Sequence, residues 1–289
     1  MILVGVDGSR AGLAAASWAI REAGLRRTGL RVVHVMPAWP LEMSEDAPHA
    51  DVGRWMRDGA ASMLAEAVER VQEEDGRVQV ESRLLPGDPR LVLAEAAKDA
   101  ELLVVGSHGL GGFRGMLLGS VPLGVTGRTT CPVAVIRSSP AQPHGEVVVG
   151  VDGSPTGVPA LAFAFAEASL RGAGLRAVHA WHLPVISGWG PSALSVAEET
   201  AEGERRLLSE ALAGWGESHP DVKVIEHVEC GHPVDVLKYA SAQADLLVVG
   251  SRGRGDLTGL LLGSVSHSLL HHATCPLVVS PGPAAPGLL

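Results

Sequence analysis

Two aspartates stand at the ends of short apolar runs, each followed by glycine and serine: Val4-Gly5-Val6-Asp7-Gly8-Ser9 and Val149-Gly150-Val151-Asp152-Gly153-Ser154. Two glycine-rich stretches lie further along each half. One reads Gly106-Ser107-His108-Gly109, nine residues, then Gly119-Ser120; the other reads Gly250-Ser251-Arg252-Gly253, nine residues, then Gly263-Ser264. Glycine admits positive φ and lets a ligand approach bare backbone. A helix starting at Ser120 or Ser264 would offer its first amides and its partial positive charge to a phosphate. The bland alternative is that these glycines only turn a loop. Identical spacing in two copies, each accompanied by a strand-end aspartate, favours phosphate binding. Rival nucleotide motifs are missing: there is no Gly-x-x-x-x-Gly-Lys-Ser/Thr, and neither first strand leads into Gly-x-Gly-x-x-Gly.

Other reactive side chains carry less. His267 and His271 are spaced for one helix face and His272 follows, a zinc-compatible pair, but no third ligand is evident and the first copy has Leu123 and Gly127 there. A solvated or capping role is the expected one. His34 and His179 recur on the second strand and read as buried, hydrogen-bonded histidines. Cys131 and Cys275 each precede a proline at a strand start and read as small core residues. Cys230 has no cysteine twin, with Leu85 taken as its counterpart, and three cysteines make no disulfide framework. Trp39 and Trp181 lie just beyond the second strands, where shielding a base and packing under a loop are equally open. No Ser-His-Asp spacing supports a hydrolase.

The elements that must position these residues form one unit written twice. Val33-His34 recurs as Val178-His179, 145 residues on, while Leu102-Leu103-Val104-Val105-Gly106-Ser107 recurs as Leu246-Leu247-Val248-Val249-Gly250-Ser251, 144 residues on. A net one-residue gap therefore falls between His34 and Pro86. A two-proline linker, Ser138 to Gly145, separates the copies, and the tail from Pro281 is expected to fray. The domains are placed at 1-140 and 145-282. In the first copy the expected strands are Ile2–Val6, Leu30–Met36, Val78–Leu84, Leu102–Gly106 and Pro132–Ile136. Helices are expected near Ser9–Arg27, Asp51–Glu74, Arg90–Asp99 and Ser120–Thr129. Strand–helix alternation with strands apolar on both sides predicts two tandem doubly wound α/β domains, each a five-stranded parallel sheet covered by helices. In such folds ligands sit at the carboxyl ends of the strands.

A strand-end aspartate, then Gly-x2-Gly-x9-Gly-Ser, then Cys-Pro before a last apolar strand resembles the universal stress protein family in its tandem, ATP-binding form. The resemblance covers nearly the whole chain. It implies the strand order 3-2-1-4-5, which sets the first and fourth strands side by side, and ATP accompanied by Mg2+ as cofactor. By position, Asp7 would hold the ribose, with Gly5, Val6 and Val35 framing the adenine. Val105, Gly106, His108 and Gly109 would meet ribose and phosphates, and Gly119, Ser120 and Val121 the phosphate tail. In the second copy the matching residues are Gly150, Val151, Asp152, Ala180, Val249, Gly250, Arg252, Gly253, Gly263, Ser264, Val265 and Ser266. Final strands of family members pair across a dimer axis, so an intrachain pseudo-dimer is expected, with chains able to pair again. Two departures predict unequal affinities. Pro122 replaces Ser266 and removes an amide, and Asp256 stands opposite Arg252 and Arg254 where the first copy has Gly112.

Composition sets the limits. The chain has 289 residues, 46% hydrophobic and 3% aromatic, with a formal net charge of −9. Ample apolar content excludes disorder, and the acid excess argues against nucleic acid and anionic membranes as partners. With no membrane-length apolar run and few cysteines, a cytoplasmic protein is expected. The acid excess is uneven: residues 1–145 carry a balance of −2 and residues 146–289 a balance of −7. The function expected is that of a nucleotide-dependent stress-response regulator with an unidentified protein partner and little or no hydrolysis. The alternatives are a slow ATP hydrolase or nucleotidyl-transfer enzyme, or a nucleotide-free interaction protein.

Overall fold

The computed structural model describes residues 1–110, 118–137, 143–182, 193–255 and 262–282. Asp256, Gly112, part of the linker and the last seven residues lie outside them. The chain divides into two compact units, Met1–Ser139 and Pro140–Leu289.

In the first unit the order is β1 (Ile2–Gly5), α1 (Arg10–Arg26), β2 (Leu30–Met36), α2 (Trp39–Glu42), α3 (Ala50–Glu74), β3 (Val80–Pro86), α4 (Pro89–Ala96), β4 (Leu102–Gly106), α5 (Ser120–Thr126) and β5 (Val133–Ile136). The strands are parallel in the order β3-β2-β1-β4-β5. Helices α1 and α3 pack together, as do α4 and α5, covering the two faces of the sheet. That double covering explains why Ile2, Leu3 and Val4 and all of Leu102–Val105 are buried instead of alternating with polar residues.

In the second unit the order is β6 (Glu146–Gly150), a one-turn 3-10 helix (Pro155–Gly157), α6 (Val158–Arg171), β7 (Gly174–Trp181), α7 (Ala193–Leu212), α8 (Trp215–Ser218), β8 (Val224–Cys230), α9 (Pro233–Ser241), β9 (Leu246–Gly250), α10 (Ser264–His272) and β10 (Leu277–Ser280). Its sheet runs β8-β7-β6-β9-β10, again parallel. Both units thus have the expected 3-2-1-4-5 order. No helix among the described residues is long and apolar enough to cross a membrane.

Register locates the one-residue gap. Met36 pairs with Pro86, and Trp181 pairs with Cys230. The gap therefore falls between β2 and β3, and Pro86, not Leu85, occupies the place of Cys230. Cys131 and Cys275 are buried, as expected of core residues, and Cys230 is exposed. Desolvation raises both buried thiols, to about 11 for Cys131 and about 12 for Cys275. Both recurrent histidines are hydrogen-bonded as expected, but only His179 is buried and His34 is half-buried: Nδ1 of His34 lies 2.8 Å from the Val6 carbonyl oxygen, and Nδ1 of His179 lies 2.7 Å from that of Val151. Nε2 of His179 additionally meets Glu204 of α7 at 2.7 Å.

Candidate functional site

Each site begins where the first strand of a unit ends. In the first unit three adjacent residues make the turn into α1. The Asp7 carboxylate accepts the Ser9 amide at 3.0 Å, Gly8 takes φ +79, and the Ser9 hydroxyl caps α1 by accepting the Gly12 amide at 3.0 Å. The second unit repeats the first two steps. Asp152 Oδ1 accepts the Ser154 amide at 2.9 Å and the Ser154 hydroxyl at 2.7 Å, and Gly153 takes φ +74. There Ser154 opens the Pro155–Gly157 turn, and α6 starts later.

The free side of each carboxylate reaches the glycine loop. Asp7 Oδ2 accepts the Leu110 amide at 3.0 Å, and Asp152 Oδ2 accepts the Arg254 amide at 2.9 Å. Residues about one hundred positions apart are thereby latched across neighbouring strand ends, identically in both units. The loop then closes on itself: the Gly119 amide donates to the Ser107 carbonyl at 2.8 Å, and the Gly263 amide to that of Ser251 at 2.8 Å. Gly119 and Gly263 are the N-cap residues of α5 and α10.

This geometry corrects one of the two reasons given for the glycines, the need for positive φ. Among the described residues, Gly106, Gly109, Gly119, Gly250, Gly253 and Gly263 are not at positive φ. What Gly106, Gly109, Gly119, Gly250 and Gly253 supply is room for protein atoms. A Cβ on Gly106 would sit 2.7 Å from the Ala11 carbonyl carbon and 2.9 Å from the Gly12 nitrogen, both backbone of α1. A Cβ on Gly109 or Gly253 would overlap Oδ2 of the latching aspartate. On Gly119 it would meet the His108 Cα at 3.2 Å.

In the second unit the strand ends, loop and α10 enclose a cavity of about 570 Å3. Every residue that the resemblance assigns to the second site lines it: Gly150, Val151, Asp152, Ala180, Val249, Gly250, Arg252, Gly253, Gly263, Ser264, Val265 and Ser266. Sequence reasoning missed several wall residues. Val178 belongs to the β7 end already suspected, whereas Pro233 and Leu237 come from α9, and His267 and Ser268 extend the α10 wall beyond its first turn. Leu237 had a signal available, since Leu93 holds the matching place against Gly5 in the first unit. Trp181 is buried and does not line the cavity; Trp39 is half exposed.

The cavity wall carries two kinds of chemistry. Val151, Val178, Ala180, Leu237 and Val249 are apolar, while Arg252, Arg254 and the start of α10 add cationic residues and backbone amides. Ser266 turns its hydroxyl to the Gly250 carbonyl at 2.6 Å, so it braces α10 against β9. Proline at the matching position, Pro122, has neither hydroxyl nor amide hydrogen.

In the first unit Gly5, Val6, Asp7, Val105, Gly106, His108, Gly109, Gly119, Ser120 and Val121 occupy the corresponding strand ends, loop and helix start. Val35 lies on β2, half-buried. His108 is exposed; its carbonyl lies 3.4 Å from the Ser9 hydroxyl, and its Nδ1 lies 2.9 Å from the Ser107 hydroxyl.

The model of the universal stress protein family matches the chain twice, over residues 1–137 and 144–281. The chain belongs to the universal stress protein family. The family is a stress-response class, and this chain carries it in tandem. Universal stress protein Rv2005c of Mycobacterium tuberculosis is 42% identical over 291 residues, covering 96% of each chain. Universal stress protein Rv2623 of the same organism is 37% identical over 290 residues, covering 96% of this chain and 95% of that one. Among solved structures, a universal stress protein from Archaeoglobus fulgidus superposes with a TM-score of 0.68 over 98% of this chain and 96% of its own, at 22% identity. That likeness concerns the fold.

Proposed function

We propose that each unit is an adenine-nucleotide site and that the chain is an ATP-dependent regulator with little or no hydrolysis. The observation that carries this is the second-unit cavity. Its volume of about 570 Å3 is in the range of small-molecule sites. Its apolar residues suit a base, and its amides at the start of α10 with Arg252 and Arg254 suit phosphates. The aspartates fit a ribose only in part. Each carboxylate already holds a turn and a loop, so a sugar hydroxyl would use the remaining lone pairs. Mg2+ would arrive on the phosphates, as it commonly does. Low turnover follows from the same latch, because Asp152, the carboxylate lining the cavity, is engaged by backbone and serine donors and is poorly free to activate water.

Calorimetric titration of the full chain with Mg-ATP tests the reading. One nucleotide per unit is expected, with Asp7→Ala and Asp152→Ala each removing most binding from its own unit and leaving unequal residual affinities. Absence of heat and of any thermal shift with ATP would leave an interaction protein. Phosphate release at several turnovers per second would make the chain an enzyme.

A further inference from the structure

His267 is a titratable wall residue that neither the glycine motif nor the latch uses. It sits on α10 four residues after the N-cap Gly263, and its amide donates to the Gly263 carbonyl at 2.9 Å. Side chains at i, i+3 and i+4 share a helix face, so His267 lies on the face that carries Ser264. The opposite face, with Ser266, Leu269 and Leu270, is buried. The imidazole is exposed, lines the cavity, and has no hydrogen-bond partner among the described residues. Its nearest aromatic neighbour is His271 on the same helix, ring centroids 5.4 Å apart.

The cavity wall therefore does not stop at the first-turn amides. It continues along α10 through His267 and Ser268, and the same cavity is lined by Arg252 and Arg254 of the glycine loop. Helix α9 contributes Pro233 and Leu237 to the cavity, neither of them charged, and the acid in the lining is Asp152, whose oxygens are engaged. With a first phosphate at the α10 amides, a longer phosphate tail comes within reach of His267, one turn further along the same helix and on the same cavity. In the first unit the same helical position is Leu123, which offers no donor.

Building on the nucleotide reading of this cavity, we propose that His267 is a specificity residue of the second site, donating to the outer phosphates of the nucleotide tail. The second unit thereby selects nucleoside di- and triphosphates over monophosphates more strongly than the first. A hydrogen bond to a charged oxygen is among the stronger ones. Its loss corresponds to about a tenfold change in affinity.

The test is calorimetric titration of the full-length chain in an Asp7→Ala background, with ATP, ADP and AMP. His267→Leu copies the first unit, and His267→Gln retains a donor. For His267→Leu, ATP affinity should fall about tenfold and AMP affinity less than about twofold; His267→Gln should recover part of the ATP loss. Equal losses for all three nucleotides, or ATP affinity unchanged by His267→Leu, would overturn the proposal while leaving nucleotide binding intact. If the unsubstituted chain binds none of the three, the nucleotide reading falls and this inference falls with it.

Discussion

Alanine at Gly253 isolates the latch between Asp152 and the glycine loop. A Cβ there would lie well inside the 3.0 Å that real Cβ contacts keep, and the atom it meets is Asp152 Oδ2. The carboxylate cannot swing away freely, because its other oxygen is held by the Ser154 amide at 2.9 Å and the Ser154 hydroxyl at 2.7 Å. It must retreat from the Arg254 amide, now 2.9 Å distant. A hydrogen bond to a charged acceptor contributes about 1.5–3 kcal/mol. The pair is open to solvent, so the lower end applies. Alanine also restricts the open loop, offsetting about 0.5 kcal/mol. The net cost of about 1 kcal/mol should raise the opening equilibrium of the loop about fivefold. Hydrogen exchange of the Arg254 amide, followed by NMR on the ligand-free chain, reads this directly. Gly255→Ala is the control, since a Cβ there meets nothing within 4 Å among the described residues. Exchange at Arg254 that Gly253→Ala changes less than about twofold, or that Gly255→Ala speeds equally, would refute the latch as the reason for the glycine.

Two further outcomes follow from close packing and burial. Gly106→Ala drives a Cβ into the α1 backbone, where no rotamer gives relief, whereas Gly250→Ala meets the Arg252 carbonyl oxygen at 3.0 Å in an exposed loop. Thermal denaturation should show Gly106→Ala the more costly, by roughly 1–3 kcal/mol or more in its unit, and the reverse order would contradict the geometry. Thiolate is the form that alkylates, and burial holds Cys131 up at about 11 and Cys275 at about 12. Iodoacetamide at pH 8 should therefore modify Cys230 alone in the native chain and all three cysteines after denaturation, counted by mass spectrometry; native labelling of Cys131 would be the contrary result.

Much of this was legible in the residues, for physical reasons. Strands such as Leu102–Gly106 are uninterrupted apolar runs because helices cover both faces, and both Asp-Gly-Ser turns hold a glycine at positive φ, followed in the first unit by a serine that caps α1. The duplication paired the loops before any coordinate did. What stayed hidden depends on long-range contact. The Asp7–Leu110 and Asp152–Arg254 bonds join distant segments through a backbone amide, which no side-chain pattern advertises. Helix α2 (Trp39–Glu42) is a single turn, too short for periodicity to show, with Pro40 in its first turn. Leu85 was matched to Cys230 because sequence identity fades between β2 and β3, where only pairing register fixes the gap.

The glycines' true neighbours bear on how the family's signature should be used. Gly106, Gly109 and Gly253 are demanded by atoms of the protein's own backbone and aspartates. Drift in a duplicated copy would therefore spare them even after its ligand had been lost, because the fold itself would suffer. The rim positions where the copies differ, His108 against Arg252 and Leu123 against His267, are under no such constraint. Divergence of purpose between the halves of a tandem protein should be sought at the rim, with the glycine spacing serving as a marker of architecture.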